Sequence, residues 1–370
     1  MKYCVRLVTT KRKLLRWSNR RPVFRPRLQM TTINKEGSMK AILCDQFTSF
    51  EDLTMVDVPR PDIAPGCVRI KVDYASVGYA ISLMVAGRYQ RKMTLPFIPG
   101  TEVSGEIIEC GPGVERLSTG SRVAAIVDAG GFAEEVVIDA ATVYPVPDNV
   151  SLERAVGIPL SYGTAATALE RGGVKDGQRV LVCGAGGALG LAAVEVAKQK
   201  GATVIAAASS GLKLEAARLA GADILIDYKS QNLLETVRAE TAGQGVDVVF
   251  DPVGGADFES LIRCTANGGS ILSLGFASGL IPQAPVNLLL VKNVSLHGVN
   301  FSEYIGWGKT DRRQEFVPQM RALMEWLFSA AAAGNLNLRS PQMFDLADAK
   351  QAIACVVGRR SVGKVVLRVR

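Results

Sequence analysis

The fold of this chain is decided by Val180-Leu181-Val182-Cys183-Gly184-Ala185-Gly186-Gly187-Ala188-Leu189-Gly190 and by the helical pattern of residues 191–198 that follows. An apolar run enters a glycine-rich turn, and an apolar helix leaves it. The glycines at 184, 187 and 190 have GxxGxxG spacing rather than the commoner GxGxxG. A strand, turn and helix in this order aim backbone N–H groups at a diphosphate. Since both flanks match, the stretch predicts a dinucleotide site; the alternative is a helix-capping turn in an α/β sheet.

The segment after the turn indicates which dinucleotide binds. The next apolar run, residues 203–208, is followed by Ser209 and Ser210, and no Asp or Glu occurs between residues 203 and 214. An NAD site usually has an acid there, which accepts hydrogen bonds from ribose hydroxyls. Hydroxyls and the ammonium of Lys213 suit a 2′-phosphate, which a carboxylate would repel. The segment therefore predicts NADPH rather than NADH, although the two serines equally suit the cap of a helix that exposes Lys213.

The rest of the chain divides into two patterns. Residues 40–150 are rich in short alternating strands, whereas strands and helices alternate from about 155 to 300, which predicts a doubly wound parallel sheet. A helix is expected over 313–334, and a final strand at 363–367 rejoins the first domain. The predicted strands of the sheet are 179–183, 203–208, 224–227, 246–250, 270–274 and 294–299, and two of the predicted helices are 188–200 and 211–220.

Charge is concentrated at the N-terminus. The chain has 370 residues and a net charge of +8, but residues 1–38 hold eleven Lys and Arg and one acid. The remainder has 32 basic and 34 acidic residues, which disfavours a nucleic-acid partner. No apolar run approaches the roughly 18 residues of a membrane span.

The basic leader, residues 1–38, has two interpretations. It is rich in Arg and nearly free of acids, as organellar transit peptides are, which would make the protein mitochondrial. Alternatively, translation starts at Met39, because Lys35-Glu36-Gly37 can be encoded by a ribosome-binding purine run and an alternating strand begins at Met39. We favour the second interpretation and a cytoplasmic protein, and either way the leader is excluded from fold reasoning.

Cysteine and histidine usage disfavours a metal site. The seven cysteines are scattered without a C-x-x-C, and His297 is the single histidine. This excludes a catalytic zinc with several histidine ligands and argues against a disulfide framework. We interpret His297 as a core or interface residue rather than a catalytic one.

These motifs together resemble the medium-chain dehydrogenase/reductase superfamily, in its zinc-free NADPH:quinone oxidoreductase (zeta-crystallin-like) branch. The resemblance covers about residues 39–370. Zinc-dependent relatives have a Cys ligand after the second strand and a Gly-His-Glu, where this chain has Val77-Gly78-Tyr79 and Gly100-Thr101-Glu102. The motifs that carry the resemblance are 95–105 (LPFIPGTEVSG), 157–165 (GIPLSYGTA), the glycine turn, 208–210 (ASS), 245–255 (GVDVVFDPVGG), 274–279 (LGFASG) and 360–364 (RSVGK).

The resemblance implies an α/β fold with two domains and a set of cofactor contacts. A GroES-like β-rich catalytic domain would comprise 39–162 with 302–370, and a Rossmann domain with the doubly wound parallel sheet would comprise 163–301. It implies the following contacts: backbone at Gly187, Ala188 and Leu189 with the diphosphate; Ser209, Ser210 and Lys213 with the 2′-phosphate; Tyr228 with the adenosine; Gly275, Phe276 and Ala277 along the ribose and nicotinamide channel; Thr164, Val299 and Asn300 beside the nicotinamide; and Lys364 near the cofactor.

At the acceptor end of the site, the resemblance points to one residue, and two positions depart from the family pattern. Tyr89 matches a tyrosine close to the hydride-accepting end, and simple packing in the cleft wall is the alternative. The family usually has an Asn and, three residues later, an Asp in this domain, where this chain has Gly78 and Ile81. The loss of these polar groups leaves turnover and substrate identity open.

The function implied is hydride transfer from NADPH to a quinone, with Tyr89 or water as the proton source. An enone or enoyl thioester is the alternative acceptor, and a non-catalytic NADPH-binding protein is the alternative of another class. The resemblance also implies a homodimer, in which residues 294–299 of two copies pair as edge strands.

Overall fold

The computed structural model describes residues 37–370, so the prediction for the basic leader falls almost wholly outside the described residues. The strands are β1 (Ser38–Leu43), β2 (Thr54–Pro59), β3 (Cys67–Val77), β4 (Glu102–Cys110), β5 (Arg122–Ile126), β6 (Glu135–Asp139), β7 (Val143–Pro145), β8 (Arg179–Cys183), β9 (Thr203–Ala208), β10 (Ile224–Asp227), β11 (Val246–Asp251), β12 (Thr265–Ser273), β13 (Ser295–Gly298), β14 (Gln342–Asp345) and β15 (Val365–Arg368). The α-helices are α1 (Tyr79–Val85), α2 (Leu152–Ala155), α3 (Gly163–Arg171), α4 (Ala188–Gln199), α5 (Gly211–Leu219), α6 (Leu233–Glu240), α7 (Phe258–Cys264), α8 (Val286–Lys292), α9 (Arg313–Ala332) and α10 (Ala349–Val357).

Six parallel strands form the sheet that carries the glycine turn, in the order β10-β9-β8-β11-β12-β13. Along β8, Val180 and Val182 pack into one core cluster, and Leu181 and Cys183 pack into another. Because successive side chains of a strand point to opposite faces, both faces of the sheet are covered, and the strands read as continuous apolar runs. The predicted doubly wound parallel sheet is confirmed.

One strand of this sheet starts earlier than predicted. β12 begins at Thr265 rather than at residue 270, and its register with β11 shifts between Val246 and Val248. A Cβ on Gly269 would lie 2.7 Å from the carbonyl oxygen of Asp247, so the strands approach closely there. An apolar run does not reveal a register shift at glycines, which is why the prediction missed the first half of this strand.

A second sheet is built mainly from the N-terminal residues, in the order β14-β15-β3-β4-β5-β7, with β6 also paired to β3. All its pairs are antiparallel except β14 with β15. Residues of β3 alternate, with Val68, Ile70 and Val72 buried in the core of this domain. β15 pairs with β3, which confirms that the final strand rejoins the first domain.

A π-helix, Ile158–Tyr162, continues directly into α3 at the predicted boundary between the domains. Past β13, the 3-10 segment Phe301–Ile305 leads to α9. Met324 of α9 and Phe301 pack in the same core cluster as one face of the parallel sheet, together with Tyr162. The predicted boundaries at 162 and 301 thus fall at a densely packed junction, and they stay predictions.

No helix among residues 37–370 is both long enough and apolar enough to cross a bilayer.

Candidate functional site

The glycine turn between β8 and α4 is as tight as the sequence predicts. A Cβ on Gly190 would lie 2.3 Å from the carbonyl oxygen of Gly184, so α4 can pack this close to β8 only with glycine there. Gly184 has a φ of +63°, which favours glycine. A Cβ on Gly186 would lie 2.3 Å from the Cβ of Lys213, so the side chain of Lys213 crosses directly over the turn.

The N-terminus of α4 is free to bind an anion. Gly187 occupies the N-cap position without a side-chain cap, and its own N–H donates to the Gly184 carbonyl at 3.1 Å. The N–H of Leu189 donates to no acceptor among residues 37–370, whereas the β-bridge between Gly187 and Gly363 directs the Ala188 N–H toward the Gly363 carbonyl. A free N–H group and the helix dipole favour a negatively charged group here. Of the three predicted diphosphate contacts, Leu189 therefore offers a free donor.

Two serines and a tyrosine follow the carboxyl ends of β9 and β10. Ser210 occupies the N-cap position of α5, but its hydroxyl makes no capping bond. Ser209 is likewise half-buried, with a hydroxyl that has no partner in the described chain. The helix-cap alternative thus accounts for the position of Ser210 and not for its free hydroxyl. Tyr228 follows β10 and is exposed, and its N–H donates to Ala208 at 3.2 Å, at the end of β9.

Two further cations surround Lys213, and sequence reasoning missed both. Burial, and then the charges of Lys229 and Arg359, lower the pKa of Lys213. The Lys213 ammonium donates to the carbonyl oxygen of Arg359 at 2.8 Å. Arg359 has a φ of +56°, which is unusual outside glycine, and its guanidinium donates to the carbonyl oxygen of Ala277 at 3.0 Å. Arg359 lies 146 residues from Lys213, so only the fold reveals this contact.

Lys364 is held beside the glycine turn by a buried acid. Its ammonium donates to Glu102 at 2.7 Å and to the hydroxyl of Ser161 at 3.1 Å, and Glu102 is fully buried. The N–H of Gly363, the preceding residue, donates to the Gly186 carbonyl at 2.8 Å. Lys364 and Ala188 line one small cavity of about 40 Å³. The fold therefore brings two of the predicted cofactor residues together, from positions far apart in the chain.

The same cavity is lined by a buried acid that the sequence did not single out. Glu195 of α4 is 4% exposed, and it accepts a hydrogen bond from the Tyr162 hydroxyl at 3.2 Å. Burial raises the pKa of Glu195 to about 7, and burial likewise raises the pKa of Tyr162. A carboxyl group that titrates near neutrality therefore lies between the glycine-turn helix and the π-helix.

The residues predicted around the nicotinamide follow the carboxyl ends of β12 and β13. The N–H of Ala277 donates to the Pro252 carbonyl at 3.2 Å, which ties the 275–277 segment to the loop after β11. Phe276 is 42% exposed, and Asn300 is exposed as well. Val299 is buried, and its N–H donates to the Ser273 carbonyl at 2.9 Å. Gly275 and Thr164 are half-buried, Thr164 in the first turn of α3.

At the acceptor end, Tyr89 is half-buried and packs against the core of the N-terminal domain. Gly78 precedes α1 at its N-cap position, and a Cβ there would meet no atom within 4 Å. Ile81 is buried in the domain core. The two departures from the family pattern thus differ: Gly78 borders open space, whereas Ile81 contributes to packing.

Potential metal ligands are dispersed. His297 is half-buried on the edge strand β13, where it pairs with Leu272. No three His, Cys, Asp or Glu side chains within residues 37–370 are grouped as metal ligands would be. The six cysteines of this range are free thiols.

Comparison with known proteins identifies related sequences and folds. Residues 188–322 match the family model described as zinc-binding dehydrogenase, and residues 64–148 match the alcohol dehydrogenase GroES-like domain. Quinone oxidoreductase-like protein 2 of Bos taurus is 38% identical over 84% of this chain and 87% of its own length. The protein of the same name from Rattus norvegicus is 36% identical over 90% of this chain and 92% of its own length.

Solved structures share the whole architecture. A mycobacterial protein solved in complex with NADPH superposes with a TM-score of 0.82 at 30% identity, over 90% of this chain and 100% of its own. The quinone oxidoreductase of Thermus thermophilus, solved alone and with NADPH, has a TM-score of 0.77 at 31% identity over the same shares. With its GroES-like domain, its parallel nucleotide-binding sheet and these relatives, the chain belongs to the medium-chain dehydrogenase/reductase family, among its quinone oxidoreductase-like enzymes.

Proposed function

We propose that this protein is a metal-independent oxidoreductase that uses NADPH to reduce a quinone or another conjugated carbonyl compound. The observation that carries the proposal is the charge at the ends of β9 and β10. Lys213 follows β9 and Lys229 follows β10, the charges of Lys229 and Arg359 both act on Lys213, and the free hydroxyls of Ser209 and Ser210 precede Lys213 on the same segment. A 2′-phosphate would accept hydrogen bonds from the serines and neutralise the cations, whereas the ribose hydroxyls of NADH could meet the serines but would leave the cations without a counter-charge. Two structurally similar relatives were solved with NADPH, which supports the same choice.

The described residues fit a bound dinucleotide along its whole length. The uncapped N–H of Leu189 suits the diphosphate, and Lys364 is held by Glu102 in the cavity that Ala188 also lines. Glycine at position 190 lets α4 start close to β8, since a Cβ there would clash with the Gly184 carbonyl oxygen. When bound, the nicotinamide supplies a hydride to the acceptor, which also takes up one proton.

The protein's own groups position the acceptor and exclude water. Thr164, Phe276 and Asn300 would border the nicotinamide, and Tyr89 would face the acceptor and donate the proton, unless water does. Neither acceptor chemistry requires a further catalytic side chain. Relatives named 2-haloacrylate reductase and prostaglandin reductase-3 match this chain at 31% and 29% identity, which keeps reduction of an activated alkene as the second candidate.

Independence from metal follows from the side chains at the positions where zinc-dependent relatives have ligands. Thr101 and Gly78 supply no ligand suitable for zinc, and His297, the single histidine of the sequence, lies on an edge strand. These two positions therefore offer neither an imidazole nor a thiolate to a catalytic zinc. We expect metal analysis to find no stoichiometric zinc.

The deciding experiment follows NADPH oxidation with a panel of quinones and enones, with and without a chelator. Turnover that the chelator does not change supports the proposal. Turnover that is lost on chelation and restored by zinc contradicts metal independence. Tight NADPH binding without turnover on any acceptor would instead favour the non-catalytic alternative.

A further inference from the structure

Three segments of the chain converge around Trp307, next to the acceptor end of the site. Its indole N–H donates to the Asp128 carboxylate, at the end of β5, at 2.8 Å. The Arg91 guanidinium lies 5.4 Å from the indole ring and donates to the Asp128 backbone carbonyl at 3.1 Å. Arg91 is on the loop that carries Tyr89, and Trp307 follows Asn300 by seven residues. The Arg91–Trp307 contact thus joins the loop of Tyr89, to which the proposed function assigns the acceptor, to the segment that follows Asn300.

The acids near this contact are already occupied. Both carboxylate oxygens of Asp128 accept from Arg313 at 2.9 Å, and Asp311 pairs with the same guanidinium. Arg91 is 4.0 Å from the Asp128 carboxylate, a weaker pairing. Glu303 pairs with Arg312. The carboxylates of Asp128, Asp311 and Glu303 therefore already have cationic partners.

Additional cations are nevertheless present. Arg88 and Lys92 flank Tyr89 and Arg91 on one loop, and Lys309 lies two residues beyond Trp307 on the other. All three are exposed, and their side chains have no hydrogen-bond or ion-pair partner among residues 37–370. We call these three residues the cationic rim. It is a local excess, because the chain beyond residue 38 is slightly acidic as a whole.

We propose that the acceptor carries its conjugated carbonyl on an anionic tail, which binds at the cationic rim of Arg88, Lys92 and Lys309. The inference rests on the proposed function and narrows its substrate class. Exposed cations without a counter-charge raise the local concentration of anions and speed their capture, while a neutral acceptor gains nothing from them. The tail is a sulfonate, carboxylate or phosphate group attached to the reducible part.

The test compares acceptors that share a reducible group and differ in whether the attached group is anionic, and the salt dependence and the variants separate the effect of charge from differences in reactivity and size. One pair is 1,2-naphthoquinone and its 4-sulfonate; the other is a 2-enoyl thioester of coenzyme A and of N-acetylcysteamine. For at least one pair we expect kcat/KM to favour the anionic member by about tenfold or more at low salt, with the preference lost at high salt. If only one pair shows this preference for the anionic member, that pair identifies the acceptor as a quinone or as an enoyl thioester.

Variants of the cationic rim then test whether the preference for anionic acceptors arises there. The triple variant Arg88→Gln, Lys92→Gln, Lys309→Gln should lower the anionic-to-neutral ratio of kcat/KM by about tenfold, mainly through KM. Lys175 is an exposed lysine just before the amino end of β8, so the control variant Lys175→Gln should leave the ratio unchanged. NADPH affinity and thermal unfolding report whether the triple variant is folded; if it is not, the three single variants and the salt dependence replace it.

Equal kcat/KM within both pairs, or a preference that survives the triple variant, overturns the inference and leaves the proposed function standing. Absence of turnover with every acceptor overturns the proposed function, and the inference with it.

Discussion

In the proposed function, the preference for NADPH over NADH depends on Lys213. Lys213→Ala removes an ammonium that lies over the glycine turn and beside two other cations. We expect NADPH binding to weaken by about 1–3 kcal/mol, the scale of a charge-assisted contact, and NADH binding to change little. Fluorescence titration measures both, and the unmodified protein should bind NADPH at least about tenfold more tightly than NADH. Lys175→Ala is the matched control, and equal losses for both dinucleotides would refute the assignment.

Glu195 makes stability depend on pH. Its pKa is raised from an ordinary value of 4.5 to about 7 in the folded protein, so the folded state holds this proton more tightly than the unfolded state. The contribution of Glu195 to the free energy of unfolding is therefore greatest below pH 4.5, declines as the pH rises, and levels off above about pH 7. The full effect is at most about 3 kcal/mol.

Glu195→Gln should remove this dependence, since the amide can still accept the Tyr162 hydroxyl hydrogen bond but does not ionise. Denaturant unfolding at pH 5.5 and pH 8 measures the difference. The variant should lose less stability than the unmodified protein between the two values. An identical loss in both would show that Glu195 does not titrate in this range.

At the scale of elements, the packing of α4 against β8 depends on Gly190. Gly190→Ala places a Cβ 2.3 Å from the Gly184 carbonyl oxygen, and backbone cannot move as a flexible side chain can. We expect a loss of about 1–3 kcal/mol in unfolding free energy, together with weaker NADPH binding. Gly187→Ala is the control for stability, because its Cβ would lie 3.6 Å from the same oxygen, an ordinary contact. Equal Tm values for the two variants would contradict the expectation.

Elements with local signals were predictable from the sequence, and those defined by distant contacts were not. The glycine turn, α4, β9 and the free serines follow from short stretches whose periodicity and residue types suffice. The π-helix Ile158–Tyr162 was missed, because its apolar residues fit an α-helix equally well. Arg359 and the Arg91–Trp307 contact were missed because their partners lie in distant parts of the chain.

At the scale of the whole molecule, the parallel sheet ends in an exposed apolar edge. Within residues 37–370, β13 pairs with β12 alone, and Leu296 on it is 42% exposed. Leu290 of α8 and Ile281 before it are each 76% exposed. A strand edge with unpaired N–H groups and apolar neighbours is an aggregation hazard unless it is covered. We propose that a second copy covers it across a two-fold axis.

Light scattering should then give twice the 39.4 kDa chain mass at micromolar concentration. Leu296→Pro removes an N–H from the edge, and Leu290→Asp places a charge in the apolar surface; each should yield monomers or insoluble protein. Leu212→Asp is the control, because Leu212 is 78% exposed on α5, away from this edge. A stable monomer in the unmodified protein would refute the dimer.

The pairing of β15 with β3 has a consequence for the order of folding. Val365 of β15 pairs with Val77, about 290 residues earlier, whereas paired strands of the parallel sheet lie within about 70 residues of each other. Closing the larger loop costs more chain entropy, so the parallel sheet and the local pairs of the N-terminal sheet should form before β15 joins β3. Residues 359–364, which bring Arg359 to Lys213 and Lys364 to Glu102, immediately precede β15. In pulsed hydrogen exchange, β8 and β9 should therefore gain protection before β15, and the newly folding chain should acquire cofactor affinity last.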